Sequence, residues 1–97
     1  MKRDDFMFTV GYQGETALVD KKARSEFGSK STQELIEAGL YKPAFCGALF
    51  DDHREDLERV VSALNSSGER TYGSVEEVMR LLGVYRVPEN ITKINYI

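Results

Sequence analysis

Residues 6–20 read FMFTVGYQGETALVD, and this stretch decides the sheet half of the fold. Phe8, Val10 and Tyr12 recur with a period of two, as in a strand with one face buried. Gln13-Gly14 then supplies a two-residue turn, because glycine adopts the positive φ that such turns need. A loop at that position pairs Tyr12 with Glu15, Val10 with Ala17 and Phe8 with Val19. The pairing places Phe8, Val10, Ala17 and Val19 on one face, and a slip of one residue would reverse the set.

Beyond the hairpin the period changes from two to that of a helix. Asp20 caps a short helix, Lys21 to Phe27, which Gly28 stops. Ser31 and Glu34 form a capping box ahead of Leu35, Ile36 and Ala38, and Gly39 followed by Leu40 matches a Schellman ending. Pro43 suits the first turn of a third helix, Pro43 to Phe50, in which every other side chain is apolar. Asp52 and Glu55 mark the next start. Leu57, Val60, Val61 and Leu64 follow at helical spacing, and Asn65 to Gly68 close the helix. Residues 66–73 read as a loop. Ser74 and Glu77 form a second capping box before Val75, Val78, Met79 and Leu82, with Gly83 as the stop. From Val84 to Ile97 the chain reads as extended, with a turn at Pro88-Glu89-Asn90 and with Ile94 and Tyr96 alternating with Lys93 and Asn95.

The expected fold class is therefore α+β. It consists of a small antiparallel sheet, the N-terminal hairpin plus a C-terminal strand or hairpin, packed against four to five short helices. A length of 97 residues fits a single domain over 1–97.

The formal net charge is −3, and the acidity lies in the second half, with nine Asp/Glu against six Lys/Arg over residues 51–97. Such a chain lacks the overall electrostatic footprint of a nucleic-acid binder. A single cysteine, Cys46, leaves no intramolecular disulfide to form. No secretory leader and no membrane span is expected, and a reducing, cytoplasmic setting is the natural one.

Few residues offer chemistry. Asp51, Asp52, Glu55, Asp56 and Glu58 surround the one histidine, His53. Their spacing suits the positive end of a helix dipole better than a metal site. Cys46 lies in an apolar run, the usual setting of an inert buried thiol. Lys21, Lys22, Arg24 and Lys30 form the basic cluster, without the interleaved aromatics of a single-strand platform. The glycines match no phosphate-binding loop. These observations assign no catalytic, cofactor-binding or metal-ligating residue, and no cofactor is expected.

Ser74-Val75-Glu76-Glu77-Val78-Met79-Arg80-Leu81-Leu82-Gly83-Val84 resembles the first helix and turn of helix-turn-helix regulators. The resemblance carries no DNA-contacting residue with it; a DNA-binding regulator using residues 74–97 as helix and wing would bind duplex in a salt-dependent way and weaken on Arg80→Ala and Arg86→Ala. The next segment departs from that pattern, because Pro88 breaks the place of a recognition helix.

The leading expectation is a non-enzymatic protein-interaction or regulatory module. Its partner is a second protein or a second copy of the chain, in a homodimer. Nucleic acid is disfavoured and no membrane is involved. Candidate interface residues are Phe45, Leu49 and Phe50 of the apolar helix, together with Ile94 and Tyr96 of a terminal strand at a sheet edge. The alternatives are the DNA-binding regulator and a small dimeric enzyme centred on His53, with Tyr41 or Tyr72 contributing.

Overall fold

The computed structural model describes residues 1–68 and 70–97. Along the chain run α1 (Arg3–Met7), β1 (Thr9–Gln13), β2 (Thr16–Val19), α2 (Lys21–Phe27) and α3 (Thr32–Glu37). They are followed by α4 (Tyr41–Phe50), α5 (Arg54–Ser67), α6 (Val75–Leu82) and β3 (Lys93–Tyr96). The class is α+β, as the pattern predicts. Six helices form among the described residues, where four to five are expected.

The additional helix is α1. Asp4 and Asp5 occupy its first turn, where the helix dipole favours negative charge. Phe6, Met7 and Phe8 are all buried. Three successive buried side chains suit a helix end wedged into the core, whereas a half-buried strand hides alternate residues.

The hairpin forms with a different register. Gln13 pairs with Thr16, Tyr12 with Ala17, Gly11 with Leu18 and Thr9 with Val19. The turn is therefore Gly14-Glu15, and Gly14 supplies its positive φ of 59°. A bulge between Thr9 and Gly11 absorbs the slip. Ala17 and Val19 consequently stay buried, while Val10 turns outward and is 60% exposed.

The sheet order is β1-β2-β3, and its strand directions correct the antiparallel expectation. β1 and β2 are antiparallel, but β3 runs parallel to β2, with Ala17 beside Ile94 and Val19 beside Tyr96. The cause is the return path. The chain arriving from α6 is tied to the hairpin's turn end, where the Thr92 N–H donates to the Glu15 carbonyl at 2.9 Å. From that end, β3 can only run in the direction of β2.

α4 lies at the centre of the molecule, packed against α1, α3 and α5. Ala44 to Ala48 are all buried, so the apolar run is enclosed by the chain's own elements. The helix begins at Tyr41, two residues before the expected start, and Pro43 falls within its first turn. Leu57, Val60 and Val61 of α5 and Val75 and Val78 of α6 bury their stripes against the same core.

The caps follow the expected residues with two exceptions. Asp20 accepts from the Ala23 N–H at 3.1 Å. Ser31 and Glu34 complete their reciprocal box. Ser74 accepts from the Glu77 N–H at 3.2 Å, but the Glu77 carboxylate accepts from the Gly73 N–H at 3.0 Å and not from the Ser74 N–H, so the second box is only half formed. Leu40 donates its N–H to the Leu35 carbonyl at 2.9 Å, closing the Schellman turn over Gly39 at φ 77°. α5, however, is capped by His53 and not by Asp52, which takes a positive φ of 51° in the turn before it. Of the expected loop 66–73, residues 66 and 67 belong to α5, and residue 69 lies outside the described residues.

Candidate functional site

β1 lies at one edge of the sheet, and its backbone geometry leaves groups unpaired. The Val19 carbonyl accepts from the Ile97 N–H at 2.9 Å, so the odd residues of β2 direct their backbone groups toward β3. The even residues Thr16 and Leu18 therefore face β1. Tyr12, opposite Ala17, must point its own N–H and carbonyl away from β2. Among the described residues neither group has a hydrogen-bond partner.

Residues of this edge line a cleft of about 380 Å³, with Val10 and Tyr12 of β1 and Val84, Tyr85 and Arg86 of the segment after α6 among its walls. A second hollow of about 240 Å³ adjoins it, with Thr9, Val10 and Lys42 common to both. Val10, Tyr12 and Tyr85 are 60%, 45% and 60% exposed. Three large apolar side chains thus face solvent around one concavity, whereas most of the chain's large hydrophobics are buried or half-buried.

Two groups of the cleft are shifted away from ionisation. The Cys46 thiol lines it but is 3% exposed, and burial pushes its pKa up to about 11 against the opposing charge of Lys42. Burial also raises the Tyr12 phenol above its ordinary value, only partly offset by the Thr9 hydroxyl. Both groups are therefore held protonated at neutral pH. Lys42 and Arg86 are exposed and make no ion pair among the described residues.

The residues singled out from the sequence are placed elsewhere. Phe45 is fully buried and has no surface to offer a partner. Leu49 and Phe50 are half-buried, with the Phe50 ring 6.3 Å from that of Phe6. Ile94 packs against the core. Tyr96 is exposed along its ring, but its hydroxyl donates to Asp5 at 2.9 Å. That hydrogen bond is the main reason its pKa lies above the ordinary value.

Asp5, 3% exposed, is the buried centre of a partly exposed charge cluster. Arg24 places Nε 2.8 Å from Asp5 and Nη2 3.1 Å from Asp4, with its guanidinium 5.2 Å from the Tyr96 ring centroid. The Nε–H is not aimed at an acceptor, so the 2.8 Å approach acts as a charge pair and not as a directed hydrogen bond. The cluster fastens α1, α2 and the C-terminal strand together. It also dissolves the expected basic patch: Arg24 turns inward, Lys30 pairs with Glu34, and Lys21 and Lys22 are left exposed.

The acidic run around His53 does not converge on a metal. No group of three His, Cys, Asp or Glu side chains gathers as a ligand set among the described residues. The imidazole Nδ1 accepts from the Asp56 N–H at 3.2 Å and so serves as the helix cap. His53 shares no hydrogen bond with Tyr41 or Tyr72 among the described residues. After α6, residues 84–92 contain no helix, so nothing stands where a recognition helix would follow.

The sequence reading missed Val10 as an exposed residue, and with it Lys42 and Tyr85; Arg86 it singled out only in the DNA-binding reading. One signal was available, because an isolated glycine within a strand, here Gly11, marks a bulge. Nothing in the one-dimensional pattern brings residue 85 to residue 12.

The fold and cleft thus define a small α+β protein with an open sheet edge beside an apolar hollow, and among the described residues no helix is long and apolar enough to cross a membrane. Comparison with protein families, with curated proteins and with solved structures finds no match.

Proposed function

We propose that this protein is a non-enzymatic interaction module that receives an extended segment of a partner protein along the outer edge of β1. The observation that carries this reading is the pair of outward backbone groups on Tyr12 beside a cleft bordered by Val10, Tyr12 and Tyr85. Strand addition draws affinity from such backbone groups and specificity from pockets for alternate side chains. The bulge at Val10 blunts one end of the edge, so pairing is confined to Gly11–Gln13 and the rest of the contact is side chain to side chain.

The reading separates two substitutions at one position. Tyr12→Ala keeps the outward N–H, whereas Tyr12→Pro removes it, and an edge strand tolerates proline where that N–H serves no internal bond. Short linear peptides selected from a random displayed library against the parent protein should bind the alanine variant and lose the proline variant. Selected peptides that bind both variants equally, or a library that yields none, would remove the proposal.

A further inference from the structure

We infer that the segment received at the β1 edge carries carboxylate side chains, which Lys42 and Arg86 recognise. This inference rests on the edge-docking reading above and adds the partner's chemistry to it. The main cleft includes both cations among its walls and no carboxylate. In the hollow that shares Lys42 the one acid is Asp20, already engaged as the cap of α2, and in the hollow that shares Arg86 the one acid is Glu89, which makes no ion pair among the described residues. The whole chain is acidic, with a net charge of −3, so a cleft whose own walls carry two cations and no carboxylate runs against the average surface.

Lys42 is common to the main cleft and the first of these hollows, and Arg86 to the main cleft and the second. A strand alternates its side chains, so one laid along β1 presents every second residue to the same wall. Carboxylates on one face of such a strand are available to Lys42 and Arg86, and apolar residues on its other face to the exposed side chains that border the edge. Arg86 also offers a planar fork suited to bidentate carboxylate binding.

The chain's own acidic run cannot be the occupant, because residues 51–58 form a turn and the start of α5 and are not free to lie as a strand. Nucleic acid fits less well. It has no backbone donors and acceptors spaced to pair with Tyr12, and two cations on an acidic protein provide few phosphate contacts.

The experiment uses the full chain and three capped linear peptides of alternating valine with glutamate, with glutamine or with lysine. Binding is read by fluorescence anisotropy at about 50 mM and about 300 mM salt, a range over which exposed charges become screened. The glutamate peptide should bind about tenfold tighter than the glutamine peptide, and salt should shrink that margin. The double variant K42E/R86E should reverse the order in favour of the lysine peptide. Both positions are exposed, and an unchanged thermal midpoint verifies the fold.

Equal binding of the glutamate and glutamine peptides, lost in Tyr12→Pro, overturns the acidic partner and leaves the edge reading intact. No measurable binding of any peptide overturns both. A single-stranded oligonucleotide that displaces the glutamate peptide at equal concentration overturns the assignment in favour of nucleic acid.

Discussion

Asn65 sits in the last turns of α5, and its side-chain amide binds both backbone groups of Tyr72 across the connection to α6. The Tyr72 N–H donates to Oδ1 at 2.7 Å, and Nδ2 donates to the Tyr72 carbonyl at 2.9 Å. Both bonds are partly buried and neutral, and each contributes about 0.5–1.5 kcal/mol net. Asn65→Ala should therefore lower stability by about 1–3 kcal/mol. Asn65→Asp is nearly isosteric and more informative. One carboxylate oxygen still accepts from the N–H, but the other faces a carbonyl, and an anion near a helix C-terminus costs about 0.3–1 kcal/mol more. At pH 7 the aspartate variant should be no more stable than the alanine variant. Folding disfavours the new carboxylate, so its folded pKa rises above about 3.9. Its protonated form can donate to the Tyr72 carbonyl. The deficit relative to the parent should thus shrink below the unfolded pKa and grow as pH rises through the folded one. Urea unfolding followed by circular dichroism at both pH values, with an unchanged m-value, measures this. An alanine variant within about 0.5 kcal/mol of the parent, or an aspartate variant more stable than alanine at pH 7, refutes the reasoning.

Phe45 is fully buried at the centre of the core. Phe45→Ala should cost about 3–5 kcal/mol in the same unfolding assay, a large share of the stability of a small domain. Cys46, with its pKa pushed up to about 11, should react with an alkylating reagent at pH 8 at least about a hundredfold more slowly in the native state than in urea. Because that pKa is raised, the associated stability is complete below the unfolded thiol value. It should fall as pH rises toward 11, visible as a declining thermal midpoint. His53→Ala should lower stability by about 1 kcal/mol through loss of the α5 cap, and His53→Ser should recover most of it. Failure of serine to recover stability would point to a role for the imidazole beyond capping.

The helices from α2 onward were largely legible because their signals are local. Asp20, Ser31 and Ser74 each cap through an N–H three residues ahead, and Gly39 and Gly83 each end a helix by adopting a positive φ. Such signals survive in a one-dimensional pattern, as do the apolar stripes of α5 and α6. α1 was not legible, because Phe6 and Phe8 satisfy a strand's alternation as readily as a helix end buried on several sides. His53 was read as candidate chemistry, although its ring carries out the capping expected of Asp52.

By itself, the sequence determined the α+β class, most helix boundaries, the presence of a hairpin and the absence of a disulfide, since each depends on residues within a few positions of one another. Tertiary structure alone decided the hairpin register, the parallel direction of β3 and the meeting of Asp5, Arg24 and Tyr96. It also decided the cleft, which residues 10–12 and 84–86 line together. These depend on where a long connection delivers the chain and on which side chains then compete for buried space. Local propensity does not encode either quantity.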